Sequence, residues 1–147
     1  MIKKTVIANK GISHKGKSST LKLISQVLLN QFPNATTTPT DIDYSGDVKV
    51  IITIDKIKIG IESQGDPGGR LGKSLDEFAA IPCDIIVCAT RTSGQGVWDV
   101  EEMKPQYGYD IIWVANHRSD EKNHDALNQL SAEQIVELIK RLIAEEI

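Results

Sequence analysis

Short apolar runs, separated by polar loops, recur along the chain. Consecutive apolar residues predict buried strands within Thr5–Ala8, Asp84–Ala89 and Asp110–Ala115. Apolar and polar residues alternate over 47–53 and again over 56–62, and the connector between these two segments is short. This alternation predicts an antiparallel hairpin.

Helical periodicity appears between the strands. Apolar residues spaced for one helix face predict helices over 19–29, over 74–80 and near 97–103. The last helix is predicted to begin at the N-cap Ser131, because Gln134 follows three residues later as in a capping box. The apolar stripe of this helix is typical of core packing.

The order of these elements predicts the fold class. Strand, loop and helix succeed one another, which favours an α/β three-layer sandwich with a mostly parallel sheet of about five strands, one of them an antiparallel hairpin strand. Residues 1–147 are expected to form a single domain, and the Thr-rich, Pro-punctuated segment 32–46 is predicted to be a long loop. Ligands bind beyond the carboxyl ends of parallel strands, so four loops are expected to converge on one site: 11–18, 64–70, 91–96 and 116–120.

Composition narrows the classes of partner. The net charge is −3, so no basic surplus indicates a nucleic-acid partner. No apolar run approaches the 18 or so residues that span a bilayer, and the first residues lack a signal sequence, so a cytoplasmic protein with no membrane partner is expected. The two cysteines, Cys83 and Cys88, fit neither a zinc site nor a redox pair and are predicted to be buried thiols.

Residues Gly11–Ser18, called the glycine loop below, have the pattern G-x-x-x-x-G-K-S between the first strand and the first helix. Glycines allow backbone conformations that turn several N–H groups toward an anion, and the start of the helix adds its positive dipole end. The lysine supplies a charge for β- and γ-phosphates, and the serine hydroxyl suits Mg²⁺. The predicted nucleotide-binding residues are Gly11, Ile12, Ser13, His14, Lys15, Gly16, Lys17, Ser18 and Ser19.

The glycine loop resembles the Walker A motif of the P-loop NTPase superfamily. The specific resemblance covers the first 30 or so residues, and the remainder matches in the order of strands and helices. It implies a P-loop fold, a bound nucleoside triphosphate (ATP or GTP) and Mg²⁺. It further implies that Lys17 stabilises charge on the γ-phosphate and that Ser18 binds the metal.

A carboxylate at the end of a later strand is the second expected metal ligand. Asp66 follows the second hairpin strand and Glu62, inside that strand, is its rival. Asp66-x-x-Gly69 resembles the D-x-x-G motif of Ras-like small GTPases, and Thr40 resembles the threonine of their first switch, which implies a third metal contact at Thr40. The guanine-reading N-K-x-D motif of that family is incomplete here, which favours ATP over GTP.

Two arginines in the predicted site loops are further candidates. Nucleotide kinases, which the chain partly resembles, use such arginines on an acceptor phosphate or on the transferring group, which implies catalytic roles for Arg70 and Arg91 beside Lys17 and Asp66. Gln64 or Gln95 is a candidate for orienting water.

Three functions are therefore expected in order of preference. The first is Mg-dependent binding and hydrolysis of a nucleoside triphosphate, with Thr40 and 66–70 as moving parts. The second is a kinase that transfers the γ-phosphate to a nucleotide or small-molecule acceptor. The third is a nucleotide-binding module without turnover, held in a larger assembly with an unidentified protein.

Overall fold

The computed structural model describes residues 2–11, 16–66 and 68–147. These ranges contain six strands and four helices that alternate through most of the chain. In chain order the elements are β1 (Thr5–Lys10), α1 (Lys17–Gln31), β2 (Thr36–Thr38), β3 (Lys49–Ile54), β4 (Ile57–Glu62), α2 (Leu71–Ala80), β5 (Ile85–Thr90), α3 (Gln95–Tyr107), β6 (Asp110–Val114) and α4 (His124–Ile143).

The strands form one mixed sheet in the order β2-β3-β4-β5-β1-β6. β4, β5, β1 and β6 run parallel, which brings their carboxyl ends to one edge of the sheet, called the carboxyl edge below. β3 is antiparallel to β4, so its first residue, Lys49, pairs with the last residue of β4, Glu62. The predicted hairpin is thereby confirmed, and the start of β3 also lies at the carboxyl edge.

Two apolar cores cover the two faces of the sheet. Alternate residues of the central strands point to opposite faces, and each face meets one pair of helices. Ile7 and Val87 pack with α1 and α4 residues such as Leu21 and Ile139. On the other face, residues including Val6 and Cys88 pack with Leu71, Leu75 and Phe78 of α2 and with Val100 and Met103 of α3. The arrangement is a helix–sheet–helix α/β architecture.

The connections leave neighbouring strands β1 and β5 in opposite directions. β1 is followed by α1 on one face of the sheet, and β5 is followed by α3 on the other. Such a reversal opens a crevice between the two following loops, and in open α/β sheets this crevice is the usual ligand-binding position. Gly11 begins its loop here, with its N–H bonded to the Thr90 carbonyl at 3.1 Å.

The prediction of about five strands is wrong by one. β2 lies inside segment 32–46, which was expected to be loop throughout, and pairs antiparallel with β3 through Thr36↔Thr53 and Thr38↔Ile51. It is a three-residue edge strand of threonines with a partner on one side only. Because β-branched threonine suits strands while polar, Pro-flanked sequence suits loops, the pattern favoured the wrong alternative.

The predicted start of the last helix is also wrong. α4 begins seven residues before Ser131, at His124, and its N-cap is Asn123, whose Oδ1 accepts the N–H of Ala126 at 2.9 Å. Ser131 is buried inside the helix, where its hydroxyl accepts the N–H of His117. The first turns of α4 are largely exposed, so they lack the apolar stripe that marked the rest of the helix.

Both cysteines are buried, as the sequence predicted. Burial raises the pKa of Cys83 and the pKa of Cys88 to about 12, so neither thiol ionises near neutral pH. No helix within the described ranges combines the length and apolar content needed to cross a bilayer.

Candidate functional site

Two cavities flank Gly16 at the carboxyl edge of the sheet. The first, called the Lys17 cavity, has a volume of about 470 Å³. The second, called the Leu127 cavity, has a volume of about 450 Å³ and lies between the segment after β6 and the start of α4. The Lys17 cavity is lined by Gly16, Lys17, Ser18, Ser19, Asp47, Ser63, Gln64, Gly65, Asp66 and Ala89, and the Leu127 cavity by Gly16, His117, Arg118, Ser119, Asp120, His124, Leu127 and Asn128.

Helix α1 begins at the Lys17 cavity and carries no acidic residue of its own in its first turn. Gly16 is its N-cap in the left-handed conformation, φ 79°. The positive φ favours glycine at this position, and a Cβ at Gly16 would lie 2.5 Å from Asn128 Oδ1, so the Asn128 amide would also have to move. The positive end of the α1 dipole therefore faces the cavity.

Lys17 brings a positive charge to the same cavity. Burial lowers the pKa of its ammonium group, the positive charge of Arg91 lowers it further, and Asp66 acts in the opposite direction. A polyphosphate bound here would act in the same direction as Asp66, because an anion near the ammonium favours its charged form.

Asp47, which the sequence analysis did not single out, is a carboxylate of the Lys17 cavity. Its Oδ1 accepts the Ser18 hydroxyl at 2.7 Å and the Ser63 hydroxyl at 2.9 Å. Asp47 lies two residues before β3, and the antiparallel register carries it to the carboxyl edge. A reversal in strand direction is the signal that could have identified it: a residue before an antiparallel strand lies level with residues after a parallel one.

Asp66 lines the cavity, as expected from its place after β4. It is not the acceptor of the hydrogen bond from the Ser18 hydroxyl, which goes to Asp47. Asp66 Oδ1 lies 3.4 Å from Arg91 Nη2, and 69% of the Asp66 side chain is exposed. The predicted metal ligand therefore faces a cation, whereas the hydroxyl of the predicted partner Ser18 is bonded to Asp47.

Glu62, the rival metal ligand, points away from the glycine loop. It alternates with Ile61, which packs on the α1 side, so Glu62 faces the α2 side of the sheet. Its wholly buried carboxylate accepts Arg70 Nε at 2.7 Å, Arg70 Nη2 at 3.0 Å and the Ser74 hydroxyl at 2.6 Å. Arg70 thus anchors the start of α2, and its predicted catalytic role stays a prediction.

Thr40 and Gln95 are not brought to the Lys17 cavity. Thr40 is exposed, its carbonyl accepts the Thr37 hydroxyl at 3.0 Å, and it is absent from the cavity lining. Gln95 is the first residue of α3, where its Nε2 donates to Asp99 Oδ1 at 2.7 Å. Neither residue contributes to the cavity in the described geometry.

Three buried polar atoms have no hydrogen-bond partner among the described residues: Asn9 Oδ1, Gln64 Oε1 and Arg91 Nε. Buried polar atoms are rarely left unpaired, and such atoms beside a cleft are typical of sites that await a ligand or water. Gln64 lines the cavity directly, and Arg91 reaches it through Asp66 and its charge on Lys17.

Hydrogen bonds between polar side chains connect the elements that lie between the two cavities. The buried Asn9, at the end of β1, donates from Nδ2 to Asn116 Oδ1 at 2.7 Å. Asn116 Nδ2 donates in turn to Thr20 Oγ1 at 2.7 Å. Asn128 of α4 packs on Gly16 above this network. The network joins β1, the segment after β6 and α1, and so fixes the start of α1 against the sheet.

Gly65 is predicted to be required for the shape of the Lys17 cavity. A Cβ at this position would lie 2.2 Å from the carbonyl oxygen of Ala89, which the ladder between β5 and β1 holds in place. We expect Gly65→Ala to lower the free energy of unfolding by about 2 kcal/mol, because backbone must move to relieve the clash. Urea unfolding measures this change.

Gly46→Ala is the matched control, since a Cβ there has no atom within 4 Å and its φ is not positive. It should change the free energy of unfolding by less than about 0.5 kcal/mol. Equal stability of the two variants would contradict the proposed close approach of Gly65 and Ala89.

The described residues thus bring together Gly11, Gly16, Lys17, Ser18, Ser19 and Asp66, with Arg91 adjacent, at one edge of the sheet. Predictions for Ile12, Ser13, His14 and Lys15 lie outside the described residues, as does Pro67 within the loop 64–70. Among the described residues no group of three or more His, Cys, Asp or Glu side chains is placed to hold a metal ion. Comparison with known proteins adds no assignment: no family model, curated protein or solved structure matches this chain.

Proposed function

We propose that this chain binds a nucleoside triphosphate with Mg²⁺ at the Lys17 cavity and hydrolyses its γ-phosphate, as a member of the P-loop NTPases. One observation carries the proposal. The glycine loop lies between strand β1 and helix α1, whose first residue is the partly buried Lys17. The loop lies at the crevice between β1 and β5, whose following helices pack on opposite faces of the sheet. Helix dipole, lysine and nearby Arg91 all favour a polyanion there.

The two cavities are suited to different parts of the proposed nucleotide. The Lys17 cavity carries the ammonium and hydroxyl groups that suit phosphates, while the Leu127 cavity offers apolar Leu127 beside His117 and His124. Both adjoin Gly16, so a nucleotide with its phosphates in the first cavity would extend its nucleoside toward the second. Asn116 is already bonded to Asn9 and Thr20, and we keep the preference for ATP over GTP.

Magnesium is part of the proposal, and the residues present fit it. The Ser18 hydroxyl and the carboxylates that line the Lys17 cavity are hard oxygen ligands. In nucleotide sites Mg²⁺ binds one or two protein carboxylates and completes its coordination with phosphate oxygens and water. Bound there, the ion would neutralise charge on the phosphates.

The chain's own groups account for the remaining chemistry of hydrolysis. Lys17 would donate to oxygens of the γ-phosphate, where negative charge is redistributed as the phosphoryl group transfers. Gln64 Oε1, buried and without a partner among the described residues, would accept a hydrogen bond from the attacking water and orient it. The proposal therefore assigns water orientation to Gln64 in preference to Gln95.

Phosphoryl transfer to an acceptor is the second candidate function. The observation that favours it is Arg91, whose buried Nε has no partner among the described residues and whose Nη2 makes only a 3.4 Å contact with Asp66. A guanidinium beside Lys17 whose Nε has no partner among the described residues suits a second phosphate group or an acidic acceptor.

Titration calorimetry with ATP, GTP, ADP and inorganic tripolyphosphate, with Mg²⁺ and with EDTA, tests the proposal. We expect micromolar or tighter binding of Mg-ATP, and weaker binding of tripolyphosphate because it leaves the Leu127 cavity empty. Slow release of phosphate from ATP in the absence of an acceptor supports hydrolysis. Turnover only with an added nucleotide or metabolite favours the kinase, and binding without turnover favours a nucleotide-binding module. Absence of binding to every triphosphate would overturn the proposal.

A further inference from the structure

The Ser18 hydroxyl has a carboxylate partner that no sequence pattern indicated. We propose that Asp47, together with Ser18, holds the divalent cation of a bound Mg-nucleotide, and that Asp66 does not. This inference rests on the proposed function and names the residue that makes nucleotide binding depend on the metal.

The position of Asp47 is fixed by its neighbours. Asp47 Oδ1 accepts hydrogen bonds from the hydroxyls of both Ser18 and Ser63. Ser63 is almost wholly buried and is itself held by Val48, whose N–H donates to the Ser63 hydroxyl at 2.8 Å and whose carbonyl accepts the Ser63 N–H at 2.9 Å. The start of β3 and the end of β4 thus present one carboxylate to the first turn of α1.

The spacing of the two oxygens suits a metal ion. Adjacent ligands of an octahedral Mg²⁺, each about 2.1 Å from the ion, lie about 3 Å apart. Ser18 Oγ and Asp47 Oδ1 are separated by 2.7 Å, so a shift of a few tenths of an ångström would let both enter one coordination shell. The Ser18 hydroxyl oxygen would then direct a lone pair at the ion and keep its proton, and the ion would replace the hydrogen bond from Ser18 at the Asp47 carboxylate.

The charged groups near Asp66 and Asp47 differ, and this difference favours Asp47 as the metal ligand. Asp66 contacts Arg91, and its negative charge favours the protonated form of Lys17. A cation at Asp66 would be repelled by both of these groups. Asp47 accepts hydrogen bonds from two neutral hydroxyls, and the cation whose pKa its charge helps to raise, Arg70, is already ion-paired with Glu62.

Calorimetric titration of ADP and ATP, each with Mg²⁺ and with EDTA, compares the unaltered chain with Asp47→Asn and the matched control Asp66→Asn. Asparagine keeps the oxygen that accepts both hydroxyls but removes the charge. Mg²⁺ is expected to strengthen ATP binding by the unaltered chain. In Asp47→Asn we expect this strengthening to be at least about tenfold smaller, while the ATP affinity measured in EDTA should change little. Asp66→Asn should retain the metal dependence.

Two further measurements make the result independent of catalysis and of folding defects. Electron paramagnetic resonance of Mn²⁺ should show ion bound with ATP in the unaltered chain and in Asp66→Asn, and mostly unbound ion in Asp47→Asn. If thermal melting shows that Asp47→Asn does not fold, Asp47→Glu, which keeps the charge and moves it by about one methylene, should weaken the Mg²⁺ dependence while preserving the fold.

The alternative outcomes are distinct. Loss of the metal dependence in Asp66→Asn, with its retention in Asp47→Asn or Asp47→Glu, would overturn this inference and restore the ligand expected from sequence. Retention in all variants would overturn it as well. If the unaltered chain binds no triphosphate with or without metal, the proposed function fails and the inference fails with it.

Discussion

Lys17→Met is expected to weaken binding of Mg-ATP by about 100-fold, because a charged donor to phosphate contributes roughly 1.5–3 kcal/mol and tenfold in affinity corresponds to about 1.4 kcal/mol. The same change is expected to leave the nucleotide-free chain at least as stable as before. Lys17 is charged in a place where burial and Arg91 disfavour the charge, and methionine fills similar space without that cost. Calorimetric titration and thermal unfolding measure the two effects.

The stability difference should depend on pH in a defined direction. The pKa of Lys17 in the folded chain lies below its ordinary value of 10.5, so folding disfavours the protonated form. That cost is fully present below the folded pKa and disappears as the pH rises above the ordinary value. The stability gained by Lys17→Met should therefore be larger at about pH 7 than at about pH 10.5.

Lys56→Met serves as the matched control for both measurements. Lys56 is exposed in the turn between β3 and β4, at the end of the hairpin remote from the carboxyl edge. It should change neither ATP binding nor the pH dependence of stability. An unchanged affinity for Mg-ATP in Lys17→Met would rule out the phosphate contact on which the proposed function depends.

Strong local patterns made most of the fold predictable. Three of the four parallel strands, β1, β5 and β6, are short apolar runs, and the fourth, β4, shares with β3 the alternation typical of half-buried hairpin strands. The pattern failed where burial does not select residue types. β2 is an edge strand of largely exposed threonines, and the first turns of α4 are exposed or only half-buried, so neither carries the periodic apolar signal that full burial imposes.

The site was predictable as far as it follows chain order. The glycine loop, Asp66 and Arg91 each follow a parallel strand, and parallel strands end at one edge. Asp47 precedes an antiparallel strand, and its partnership with Ser18 across 29 positions depends on β3 lying beside β4. The pairing of Glu62 with Arg70 depends on which face of β4 a residue occupies, which alternates with every position.

Arg70→Ala is expected to lower the free energy of unfolding by about 3 kcal/mol. Removing one partner of a buried ion pair costs about 3–5 kcal/mol, since the remaining charge has no counterion, and the lower figure applies because solvent partly screens this arginine. The Glu62 side chain is 0% exposed and that of Arg70 is 44% exposed. After the substitution the Ser74 hydroxyl and the N–H of Gln64 would be the groups of the described residues that remain bonded to the Glu62 carboxylate.

A second substitution separates this structural role from catalysis. Glu62→Gln removes the buried charge, so the double variant with Arg70→Ala should recover roughly half of the lost stability, as coupled neighbours do. Lys73→Ala, on the same helix with an 81% exposed side chain and a 3.9 Å contact to Glu77, should have almost no effect. If Arg70→Ala instead reduced ATP turnover while leaving urea unfolding unchanged, the guanidinium would act on the substrate. Two N–H groups of Arg70 donate to Glu62 at the start of α2. We therefore expect Arg70→Ala to lower the free energy of unfolding rather than to act on ATP turnover alone.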